Sequence, residues 1–80
     1  MNITEAIRTL EVGMCYADLR RMPVNEYHHG DAQAEMRKMN SKFSVIFDRI
    51  AEGKYTCERV TTMNHNGEHI IYGVVVTRER

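Results

Sequence analysis

Apolar positions first recur at helical spacing. Ile3, Ala6, Ile7 and Leu10 form one stripe, which predicts a short amphipathic helix. Asn2 with Glu5 three residues later has the spacing of a capping box, and Gly13 is a plausible stop. Only about two turns fit, so this helix must lean on the rest of the chain. "MCYADLRRM", residues 14–22, reads two ways: as a strand it puts Cys15, Ala17 and Leu19 on one face, and as a helix it aligns Cys15, Leu19 and Met22. The strand reading is favoured, because a lone hairpin further along needs a third strand for support.

"PVNEYHHGD", residues 23–31, carries the only proline and reads as a loop. Asp31 is placed as the cap of a long helix to about Glu52, in which Met36, Met39, Phe43, Ile46 and Ile50 recur in steps of three and four and Phe47 widens the stripe. Gly53 is placed as its end. The period then changes to alternation. "KYTCERVTTM" and "HIIYGVVVTRER" flank "NHNG", whose Asn66-Gly67 pair signals a hairpin. A two-residue turn there sets Cys57 opposite Val76, Arg59 opposite Val74 and Met63 opposite Ile70.

In that register one face shows Tyr55, Cys57, Met63, Ile70, Tyr72, Val74 and Val76, and it receives the long helix. The other shows Val60, Ile71 and Val75 among threonines, too apolar to be left in water. Either the first helix covers it or a second copy of the chain does. A homodimer built through Val60, Ile71 and Val75, or through strand edges, is therefore expected. The fold class predicted is α+β: helix, strand, long helix and hairpin in one domain, residues 1–80, with the long helix on one face of a small antiparallel sheet. The alternative is a winged helix-turn-helix, with residues 14–22 helical and the hairpin as the wing. Against it, a recognition helix of about six turns is unusually long.

Composition narrows the partners. Among 80 residues, 11 basic side chains balance 11 acidic ones, which counts against adhesion to duplex DNA or an anionic membrane by bulk charge. No stretch approaches the roughly 20 apolar residues of a membrane span. The polar, charged start "MNITEAIRTLEVG" does not read as a secretory signal. Cys15 and Cys57 are accordingly read as reduced, buried thiols, and the compartment as cytoplasmic.

Candidate chemistry is sparse. His28, His29, His65 and His69 do not match the paired-ligand spacings of zinc sites, so no metal or other cofactor is expected. Nothing positions an orienting third group behind a Cys–His pair, there is no phosphate-binding glycine motif, and a chain this short has little room for a pocket. The expectation is a non-enzyme with no small-molecule substrate. What remains is a basic flank on the long helix. At about 100° per residue Lys38, Lys42 and Arg49 fall together with Val45 among them, and Arg59 adds charge from the hairpin. Such a flank is commonly only the solvated back of a core helix. Its functional reading is a nucleic-acid surface made of Lys38, Lys42, Arg49 and Arg59.

Two stretches carry a resemblance. "ITEAIRTLEVGMCY" resembles the opening of many short phage and prophage proteins, a helix that ends in "LEVG" before a strand. "KYTCERVTTMNHNGEHIIYGVVVTR" is similar to their closing hairpin. The resemblance covers about half the chain, and the loop "RRMPVNEYHHGDAQ" is longer than that pattern. It implies a small accessory factor of phage type that binds DNA or inhibits a host protein, and it transfers no functional residue. The expected function is a macromolecular binder: a DNA-binding regulator first, and a protein-binding inhibitor or adaptor of a host protein, using the apolar outer face or the free hairpin edge, as the alternative.

Overall fold

The computed structural model describes residues 2–80. Its elements run α1 (Ile3–Arg8), β1 (Cys15–Pro23), a 3-10 turn (Val24–Glu26), α2 (His29–Arg49), β2 (Tyr55–Met63) and β3 (His69–Arg78). This is the α+β arrangement the periodicities predict. Residues 15–23 form a strand and not a helix, so the winged-helix alternative is not the fold. β3 lies in the middle of a three-stranded antiparallel sheet of order β1-β3-β2. The sheet therefore has two free edges, one on β1 and one on β2.

The long helix forms where its stripe demands, though its ends differ from expectation. α2 begins two residues before Asp31, with His28 at the cap position and no side-chain cap bond. Asp31 sits in the first turn, where its charge favours the helix's positive end. The helix stops at Arg49, short of Gly53, because Ile50 turns to an extended conformation. α1 likewise ends at Arg8, with Thr9 donating its hydroxyl to the Glu5 carbonyl. Gly13 lies further on, in a turn tied to β3 by its amide on the Arg78 carbonyl at 2.7 Å. At the helix start Asn2 Oδ1 accepts from the Glu5 amide at 2.9 Å, which is half of the expected capping box.

The hairpin register is the predicted one, with Cys57 opposite Val76, Arg59 opposite Val74 and Met63 opposite Ile70. The turn differs. Gly67 alone takes positive φ, at 73°, and Asn66 does not. Asn64 holds the loop instead, its Oδ1 accepting the amides of Glu68 at 3.1 Å and His69 at 3.0 Å. A side chain that satisfies two turn amides fixes the loop as well as a left-handed pair would.

The core lies between α2 and the even-numbered residues of β3. Phe43, Met36, Met39, Ile46 and Ala32 of α2 pack with Tyr72, Val74 and Val76. Tyr16 meets Phe43 edge-on with centroids 6.0 Å apart, and Phe47 stacks on Tyr55 at 5.4 Å. Met63, expected in this layer, lies beyond it and is 54% exposed. Ile7 and Leu10 join the same core, so α1 packs on the α2 side of the sheet. The possibility that the first helix covers the outer face is thereby excluded.

Gly73 takes φ 157°, a conformation in which a side chain would point into β1. A methyl group there would collide with the Asp18 carbonyl and sit 2.9 Å from Leu19 Cα. Backbone atoms held in a strand ladder cannot move aside as a flexible side chain can. Gly73→Ala should therefore cost about 2 kcal/mol or more, read as a lower urea midpoint at unchanged slope, whereas a loss under about 0.5 kcal/mol would show that the strands part easily.

Candidate functional site

The basic side chains do not form one surface. Lys42 Nζ lies 3.0 Å from Asp18 Oδ2, and Asp18 also accepts from Arg20 Nη1 at 2.6 Å. Arg20 Nε is 3.4 Å from Glu35 Oε1, and Tyr72 donates its hydroxyl to Glu35 Oε2 at 2.6 Å. These five side chains stitch α2 to β1 and to the central strand. Lys42 thus has a structural partner, and its ammonium also sits 5.0 Å from the Phe43 ring. Lys38 and Arg49 have no acid within ion-pair distance among the described residues.

Arg59 is elsewhere. It donates to Gln33 Oε1 at 3.0 Å from β2, while Asp18 lies on β1, and both register with Val74 of the strand between them. Two strand spacings, about 10 Å, separate the edges. α2 runs between Arg59 and the Lys42–Asp18 pair. The structure keeps Lys38, Lys42 and Arg49 on one helix flank and sets Arg59 on the other side. Arg49 also lines an open cleft of about 280 Å³ with Arg8, Ile50, Ala51 and Glu52. Glu52 offsets part of the positive charge there.

The odd-numbered face of β3 presents a second surface. Cross-strand pairing sets Ala17 beside Val75 and Glu58, Leu19 beside Gly73 and Val60, and Arg21 beside Ile71 and Thr62. Val60, Ile71 and Val75 do share one face, and β1 adds Ala17 and Leu19 to it. None of these five belongs to the core or packs against it, and Leu19 is 43% exposed. Cys15, Thr56 and Thr77 close one end, where Cys15 Sγ contacts Thr77 Oγ1 at 3.3 Å. At the other end Arg21 Nη2 lies 3.2 Å from His69 Nδ1. This is an apolar stripe with polar ends, flanked by Glu58 and Arg21, and with Glu79 accepting from Thr56 at the Cys15 end at 3.0 Å.

The thiols and imidazoles do not converge. Cys15 is exposed on the open face, contrary to the expectation that both thiols are buried, because β1 is an edge strand with nothing over that side. Cys57 points under α2, where burial pushes its thiol up despite nearby Arg59, so it is a poorer nucleophile than a free cysteine. His29 Nδ1 contacts the Tyr27 hydroxyl at 3.3 Å, on the far side of the sheet from His69. No three His, Cys, Asp or Glu side chains among the described residues are grouped to hold a metal. No described helix is long and apolar enough to cross a membrane. No protein-family model matches the chain, and no curated protein or solved structure matches it either.

The Asp18 cluster has a pH signature. Partial burial alone would raise the Asp18 carboxyl, but hydrogen bonds from Lys42 and Arg20 outweigh it and hold the group below the usual 3.8. A carboxyl whose folded value is depressed stabilises the fold above its unfolded value, and that contribution fades as pH falls through the folded one. Tyr72 shows the opposite sign: its hydrogen bond to Glu35, then burial, raises it above 10.0. Its contribution is present below pH 10 and fades as pH rises beyond it. Asp18→Asn should accordingly lower stability at pH 7 by about 1 kcal/mol and flatten the loss of stability below pH 4 in acid titrations followed by circular dichroism. An unchanged acid limb would show that Asp18 is not the group responsible.

Proposed function

We propose that the protein is a small non-catalytic accessory factor that recognises another protein through the open face of its sheet, in the manner of an inhibitor or adaptor. The observation that supports this reading most is the uncovered row Ala17, Leu19, Val60, Ile71 and Val75, in a chain whose two helices both pack on the opposite side. Contiguous apolar surface rimmed by polar residues is the usual mark of a protein-binding site. The DNA-binding reading keeps second place. Lys38 and Arg49 stay free for phosphate, but Lys42 is paired with Asp18, Arg59 lies across the helix, and net charge is zero. The phage-type context implied by the sequence resemblance suits either partner.

Capture from a bacterial lysate with tagged protein tests the two surfaces against each other. Under the protein-binding reading, a bound protein survives nuclease and high salt, is lost with Leu19→Asp, and persists with Lys38→Glu/Arg49→Glu. Apolar contacts resist salt, whereas phosphate contacts are screened. Nuclease-sensitive material lost with the charge reversals and kept by Leu19→Asp would reverse the ranking.

A further inference from the structure

The open face is complementary to itself. Within its three central rows the face carries two formally charged side chains, Arg21 on β1 and Glu58 on β2, in the rows on either side of the Leu19–Gly73–Val60 row, while Glu79 lies beyond them at the Thr56 end. Arg21 and Glu58 therefore occupy opposite corners, each about 8 Å from Gly73 at ordinary strand spacing and rise. A two-fold axis parallel to the sheet, about 5 Å above its open face over Gly73 and at right angles to the Arg21–Glu58 diagonal, exchanges those corners. Rotation about it lays a second copy face to face on the first. Arg21 then meets the partner's Glu58, and Glu58 meets the partner's Arg21.

The same rotation settles the apolar positions. Leu19 comes over the partner's Val75 and Val60 over the partner's Ile71, each displaced by a few ångströms, as interdigitating sheets require. Gly73 faces the partner's Gly73 across the axis, where two absent side chains leave room for the flanking Leu19 and Val60 to enter. The strands cross steeply, near the orthogonal class of sheet packing. The alternative axes, along the strands or directly across them, set Glu58 on the partner's Ala17 or Thr62 and leave both charges without a counterpart.

We infer that the open face is the contact surface of a symmetric face-to-face homodimer, held at its apolar centre by Leu19, Val60, Ile71 and Val75 and oriented by two equivalent Arg21–Glu58 pairs. This inference rests on the reading of that face as a protein-binding surface and names a second copy as its occupant. Both charges are free for the role. Among the described residues neither forms an ion pair within its own chain, and Arg21 contacts only His69. A face three strands wide contributes a few hundred Å² per copy, below the roughly 800 Å² of a standard interface. An interface of that size is at the small, dissociable end of specific contacts.

Sedimentation equilibrium over a concentration series reads this directly. The wild type should pass from monomer to dimer with rising concentration. Arg21→Glu and Glu58→Arg should each weaken the association about tenfold or more, since each places two like-charge pairs in the contact. The double exchange Arg21→Glu/Glu58→Arg should restore it. All three variants change exposed side chains, so circular dichroism should show them folded. A chain that stays monomeric through the series, or a dimer indifferent to the single reversals, or one the double exchange fails to restore, overturns the inference. A monomer whose lysate capture is still lost with Leu19→Asp would overturn it while leaving the protein-binding reading in place.

Discussion

The packing of α2 against the even-numbered residues of β3 is the constraint from which the other features follow. The helix has 21 residues and spans about 31 Å, enough to roof a sheet with strands of nine and ten residues. Phe43, Met36, Val74 and Val76 are fully enclosed by that contact. α1 is too short to form a second layer and inserts Ile7 and Leu10 beside α2 instead. Both described helices lie on one side of the sheet, and no other described element covers the opposite face.

That asymmetry bears on composition. A domain of 80 residues buries a small fraction of its surface compared with larger ones, and exposure of Leu19 beside Val60 wastes apolar area it can ill spare. Of the basic side chains on the helix flank, Lys42 by contrast has a structural partner. The chain Lys42–Asp18–Arg20–Glu35–Tyr72 locks the angle at which α2 crosses β1 and β3. Individually such half-exposed pairs contribute about 1 kcal/mol or less, so their effect is on geometry more than on depth of stability.

Much of this fold is legible in the residues because period-3.6 and period-2 patterns change sharply after α2. The register followed from Asn66-Gly67 even though Asn64 holds the turn, since any turn centred there aligns the same apolar pairs. Helix ends were less legible. Asp31 looked like the start and Gly53 like the stop, but Tyr27 packs against Tyr72 just before the helix and Ile50 packs against the core just after it. Strand order was not legible at all, and with it went the placement of Arg59. A helical wheel gives the angle of Lys42 and Arg49 about their own axis, but it cannot say that β2 lies on the far side. The partnership of Asp18 with Lys42 depends on the same order. Ala17 and Leu19 could have been added to Val60, Ile71 and Val75 only by knowing that β1 joins β3.

The central claim is that one side of this sheet is roofed and the other is bare, and its two cysteines report on the two sides separately. Cys15 stands on the open face beside Thr77, outside the Leu19–Gly73–Val60 centre, while Cys57 lies under α2. The direct measurement is the rate of modification of each thiol by a small neutral reagent in the native protein. Cys15 should react at nearly the rate of an unfolded control, and Cys57 at least about a hundredfold more slowly, gated by local opening. Equal rates at both positions, or protection of Cys15 with ready labelling of Cys57, would contradict the account.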